Sequence, residues 1–102
     1  MVYMPFVVVA ELRAGFASGE RAAENLEFLE PFLQSEFVEV LHSDSETLQI
    51  YAQLFTSLRR RGTPIPTNDL WIASLCVRHH LPLDTADTHF RNVDLLKLVN
   101  VE

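Results

Sequence analysis

Strand-like and helix-like segments alternate along the 102 residues, which predicts one α/β domain with a mostly parallel sheet. The length admits a single small domain and not two. The composition is 48% hydrophobic and 22% charged, which suits a packed core and excludes a disordered chain.

The elements follow in order. Val2 to Met4 reads as a short strand closed by Pro5. Phe6 to Phe16 reads as a helix, with Pro5 suited to its entry and Gly15 and Gly19 marking its loosening. Ser18 is a candidate cap for the next helix, Glu20 to about Leu33. There Ala22, Leu26, Leu29 and Leu33 form one stripe, and Pro31 is expected to kink the helix or end it early. Phe37 to Leu41 reads as a strand. Ser43 and Glu46 have the spacing of a capping box. The helix they open is expected to bury Leu48, Tyr51, Ala52, Phe55 and Leu58. Arg59, Arg60 and Arg61 suit the negative end of its dipole, and Gly62 its left-handed exit.

A stiff loop with Pro64 and Pro66 leads to a helix over Asn68 to His79, with Ile72, Leu75, Cys76 and His79 inward and Thr67 or Asn68 as cap. Leu81 to Thr85 reads as a short buried strand, Asp87 to Phe90 as a turn, and Leu96 to Val101 as the last strand. No repeat or long linker interrupts the chain. The apolar run Met4 to Leu12 is broken by Glu11 and too short to span a bilayer, and it lacks the marks of a signal peptide. The single cysteine, Cys76, cannot form an internal disulfide and sits in an apolar helical pattern, so core is its expected place. A reducing cytoplasm is the default compartment.

The formal charge is −6, the opposite of the basic footprint of most nucleic-acid binders. Either nucleic acid is not the partner, or divalent cations bridge acidic side chains to phosphate. Glu11 is flanked at helical spacing by Val7, Val8, Ala14 and Gly15, so its carboxylate either reaches solvent at the helix edge or serves a site. Asp69 opens a helix, where the dipole alone is sufficient reason for an acid. Asp84 and Asp87 stand where an apolar strand runs out, as ordinary turn residues do, and as ligands at the carboxyl ends of strands also do. Taken together, these acids are hard oxygen donors of the kind that hold Mg²⁺ or Mn²⁺. The histidines show no paired ligand spacing, which points away from zinc. Arg59 to Arg61 fit a solvated helix end, with phosphate binding as the alternative.

Three segments carry a resemblance. Pro5 to Gly15, around Glu11, resembles the metal-ligand helix of VapC-type PIN-domain toxins. Ile65 to Ala73, with Asp69 opening a helix, is similar to that family's second acidic block. Leu81 to Phe90 is similar to the third, a strand ending in threonine, any residue, then aspartate. The resemblance covers about residues 2 to 101. It implies a PIN-like three-layer fold and a Mg²⁺- or Mn²⁺-dependent endoribonuclease, the toxin of a toxin–antitoxin pair. It implies RNA as substrate, a cognate antitoxin as partner, and Glu11, Asp69 and Asp87 as catalytic metal-site acids. Asn68 and Thr85 become supporting groups. Asp84 matches no family acid and is a secondary candidate, and Ala86 stands where relatives often carry arginine. The family's opening strand, which bears a further acid and lies central in a 3-2-1-4-5 sheet, has no counterpart here. The expectation is therefore a single truncated domain over residues 1 to 102, weak in metal binding and cleavage. Its sheet is expected to repair the gap by closing up, rearranging or dimerising through exposed edges. The alternative function is an inactive remnant acting as a binding or oligomerisation module.

Overall fold

The structure, a computed structural model, describes residues 1–85 and 88–99. The chain divides into two compact units, Met1–His42 and Ser43–Glu102.

In the first unit, β1 (Val2–Pro5) runs directly into α1 (Phe6–Ala17), followed by α2 (Ala22–Leu33) and β2 (Val38–Leu41). β1 and β2 pair in parallel, Val2 opposite Val38 and Pro5 opposite Leu41. Pro5 ends the strand and has a fixed φ of −59°, so it enters the helix without losing a needed donor. α2 packs with Leu29 buried and Ala22, Leu26 and Leu33 half-buried, as the periodicity requires. Two expectations need correction. Ser18 caps the end of α1 and not the start of α2: its hydroxyl donates to the Gly15 carbonyl and its amide to the Ala14 carbonyl. Pro31 neither breaks nor visibly shortens α2, which runs on to Leu33, because in the last turn it removes only one helical donor.

The second unit begins with a helical hairpin, α3 (Ser45–Arg60) and α4 (Thr67–Arg78). β3 (Leu83–Asp84) and β4 (Leu98–Val99) then pair in parallel, with a 3-10 turn at Thr88–Asn92 between them. The strands are shorter than the sequence suggests, and the final two residues of the expected last strand, Asn100 and Val101, lie outside the described residues. The core of this unit joins Leu54 and Leu58 of α3 to Leu70, Ala73 and Cys76 of α4, with Phe90, Val93 and Leu96 closing over them. Leu75 and Ser74 are fully buried, and the Ser74 hydroxyl avoids being orphaned by donating to the Leu70 carbonyl at 2.7 Å.

Four local details differ from expectation. The cap of α3 is Asp44, whose Oδ1 accepts from the Thr47 amide at 2.8 Å and the Thr47 hydroxyl at 2.7 Å. Glu46 pairs instead with Arg78, so no capping box forms. The buried face of α3 is Thr47, Leu54 and Leu58, while Leu48 and Phe55 remain 54% and 45% exposed. In α4 the buried residues are Leu70 and Ala73 to Cys76, with Ile72 and His79 only half-buried. Its N-cap is Pro66, with Thr67 and Asn68 already helical.

Both helices of the hairpin end in the same way. After α3, Thr63 N–H donates to the Leu58 carbonyl and Gly62 N–H to the Arg59 carbonyl, with Gly62 at φ +73°. After α4, Leu81 N–H donates to the Cys76 carbonyl and His80 N–H to the Val77 carbonyl, with His80 at φ +54°. These are paired Schellman closures, one with the glycine the motif favours and one without.

Candidate functional site

The acids expected from the sequence are distributed over both units. Glu11 sits in the middle of α1 and is exposed. Arg13, two residues on, turns away to an ion pair with Glu30 of α2. Asp69 is the third residue of α4, half-buried in its first turn, with exposed Asn68 before it. The chain must enter α4 here because Pro64 and Pro66 cannot donate to a helix and Pro66 is set at ψ 149°. Asp84 is exposed at the end of β3 opposite Val99, and half-buried Thr85 follows it. Asp87 lies outside the described residues. Among the described residues, no group of three or more His, Cys, Asp or Glu side chains is gathered as a metal ion requires.

Within the second unit, the hairpin fixes what shares an end with Asn68 and Asp69. α3 and α4 run antiparallel, as the ion pair of Arg78 with Asp44 at 3.1 Å and the tilted contact of the Trp71 and Tyr51 rings at 4.3 Å require. The first turn of α4 therefore lies at the same end of the hairpin as Arg59 and Arg60. An apolar groove of about 300 Å³ opens there, lined by Phe55, Leu58, Arg59, Pro64, Ile65 and Leu70. Arg61 is used structurally: it donates to the Asn92 carbonyl at 3.0 Å and to Asp94 at 3.1 Å.

The opposite end of the hairpin holds the best-defined electrostatic cluster, which sequence reasoning missed. The Thr47 amide and hydroxyl, then Arg78, hold the Asp44 carboxyl well below the usual carboxylate range. Asp44 in turn raises the Arg78 guanidinium. Only the Asp44-x-x-Thr47 spacing hinted at it; Arg78 is 34 residues away in sequence. The cluster ties the start of α3 to the end of α4 and is structural. Burial pushes the Cys76 thiol up to about 11, so it is a core group and not a nucleophile.

The donor set bears on the implied metal. The side chains singled out by the sequence, carboxylates with an amide and a hydroxyl, offer hard oxygen donors, a chemistry suited to a divalent cation.

Comparison with known proteins places the chain in a family. The PIN domain model matches residues 1–96. The ribonuclease VapC5 of Mycobacterium tuberculosis is 33% identical over 91 residues, covering 86% of this chain and 65% of that protein. The structure of VapBC2 from Rickettsia felis bound to a promoter DNA fragment superposes with a TM-score of 0.86 at 27% identity, over 97% of this chain and 74% of that one. VapBC-5 from Mycobacterium tuberculosis, a member of the VapBC family of toxin-antitoxin systems, gives a TM-score of 0.76 at 29% identity, over 93% and 78%. The chain belongs to the PIN domain family. It spans between 51% and 73% of the length of the curated relatives it matches. No helix among the described residues is long and apolar enough to cross a membrane.

Proposed function

We propose that the chain is a divalent-metal-dependent endoribonuclease, the toxin of a toxin–antitoxin pair, in which Glu11, Asp69 and Asp87 bind the metal. The observation that carries this reading is the family match over residues 1–96, a span that includes Glu11, Asp69 and Asp87. Its resemblance to VapC ribonucleases supplies the reaction class.

In this reading the ion, magnesium or manganese, supplies an activated water and neutralises charge on the phosphodiester. Asp69, in the first turn of α4, would be one of the carboxylates that hold it. Asn68 and Thr85 would support the acids through their polar atoms, and Asp84 would be a secondary ligand candidate. Because the acids neutralise a cation before phosphate arrives, a chain of net charge −6 can receive RNA. An antitoxin is the implied protein partner, a second copy of the chain the implied assembly, and the cytoplasm the implied compartment.

Calorimetric titration with Mn²⁺ tests the site. Wild type is expected to bind, and Asp87→Asn and Asp69→Asn to bind about tenfold or more weakly. Chelation is expected to abolish cleavage of single-stranded RNA. Equal binding in wild type and variants, or none in any, would instead favour the inactive binding module.

A further inference from the structure

A cavity of about 260 Å³ lies at the opposite end of α4 from Asp69, lined by Cys76, Val77, His80, Leu81, Leu95 and Lys97. Its frame is hydrogen-bonded. The Leu81 amide donates to the Cys76 carbonyl, closing α4. The Leu83 amide donates to the Lys97 carbonyl at 2.8 Å, tying the start of β3 to the residue before β4. Backbone pairing on both sides holds the cavity open before anything enters it, as small-molecule sites require. The volume falls just below the range of sites for drug-sized ligands, so its occupant is small.

The walls divide by chemistry. Cys76, 6% exposed, forms the floor, a soft and nearly apolar surface. Val77 and Leu81 are half-buried beside it, while Leu95 stands 70% exposed. A leucine so open at the mouth of a cavity gains from contact with an apolar ligand. The polar lining is His80 and Lys97, both exposed, and it contains no acid. Lys97 is the sole lysine of a chain with 14 acids. Arg13, Arg21, Arg61 and Arg78 sit in ion pairs, whereas Lys97 has no carboxylate partner among the described residues. His80 occupies the left-handed closing position of α4, at φ +54°, where glycine is the favoured residue. The closure therefore carries a hydrogen-bonding side chain to the cavity at a cost in backbone conformation.

We propose that this cavity binds a small carboxylic acid with an apolar tail, its carboxylate held by Lys97 and His80 and its tail laid over Cys76, Val77, Leu81 and Leu95. Charge complementarity commits the site to an anion: the ammonium meets the carboxylate, and imidazole offers an N–H donor in either protonation state. An inorganic anion would leave the apolar walls uncovered, and a neutral apolar molecule would leave the cation unused. Both halves of the lining are satisfied together only by a ligand with both characters. The inference is independent of the nuclease reading, because the expected metal-site residue of this helix, Asp69, stands at its other end.

Calorimetric titration of the whole 102-residue chain with octanoate, and with octylamine as the same tail of opposite charge, tests this. Octanoate is expected to bind with a Kd of about 1 mM or tighter. Octylamine is expected to bind at least about tenfold more weakly. Lys97→Glu, at an exposed position, is expected to keep the circular dichroism of wild type and to reverse that preference. His80→Gly is expected to weaken octanoate binding while raising Tm, an opposition that damage to the fold cannot produce. Octanoate at about ten times its Kd is expected to slow alkylation of Cys76 by iodoacetamide about tenfold in the native chain, because the tail covers the thiol. No octanoate binding at about 10 mM, where a ligand of this affinity saturates the site, would overturn the proposal. So would equal binding of the two ligands, binding that survives Lys97→Glu, or an alkylation rate that octanoate leaves unchanged.

Discussion

Replacing Gly62 by alanine should destabilise the second unit, and replacing His80 by glycine should stabilise it. Both residues close a helix with positive φ, +73° and +54°. A side chain in the left-handed region costs about 1–2 kcal/mol relative to glycine. Against this, glycine's freer unfolded chain costs about 0.4–1 kcal/mol. A Cβ at Gly62 meets nothing within 4 Å, so packing adds no further term and backbone conformation alone decides the sign. The net expectation is a loss of about 0.5–1 kcal/mol for Gly62→Ala and a similar gain for His80→Gly. In a domain of this size that is roughly 2–8 °C in Tm, downward for the first and upward for the second. Thermal and urea unfolding followed by circular dichroism measure both. Gly62→Asn serves as a control near wild type, because asparagine tolerates this conformation. Two variants that move in the same direction, or a Gly62→Ala protein as stable as wild type, would refute the account. The turn at His80 also sends the chain from α4 to β3, and so to Asp84 and Thr85.

Two further outcomes follow from the charged and thiol groups. Asp44 has a folded pKa held below its ordinary 3.8, so its contribution is present above that value and is lost as pH falls through the folded one. Stability should therefore decline in acid below about pH 4, and Asp44→Asn, which keeps a capping oxygen, should show a shallower decline in unfolding curves measured between neutral pH and strong acid. Cys76, raised from 9.0 to about 11, should hold about a hundredfold less thiolate at pH 8 when folded than when unfolded. Reaction with a thiol-specific reagent should accordingly be at least that much slower in native buffer than in urea; comparable rates would mean the thiol is not buried.

The elements, their order and their parallel pairing were legible because helix punctuation is local. Pro5, Gly62 and the Pro64–Pro66 loop mark boundaries that the structure respects to within a few residues. The choice of α3 cap was not legible. Ser43 and Asp44 are adjacent candidates, and Arg78, far along the chain, reinforces the aspartate. The buried face of α3 was misread for a related reason: Leu48, Tyr51 and Phe55 satisfy helical periodicity as well as Ile50, Leu54 and Leu58 do. Periodicity detects an apolar face without saying what covers it. The site divides in the same way. That Asp69 opens a helix and Asp84 ends a strand follows from local sequence. Whether acids converge depends on tertiary arrangement, which no local pattern encodes.

The contact of the Trp71 ring with Tyr51 has a practical consequence. Trp71 is the sole tryptophan, two residues along α4 from Asp69, with its ring against α3. The molecule thus contains an intrinsic fluorophore with a tyrosine donor at 4.3 Å. Its emission wavelength reports whether the helical hairpin is intact. A paramagnetic ion held by Asp69 would dim it at short range. Unfolding and ion binding can therefore be followed optically in one unlabelled sample.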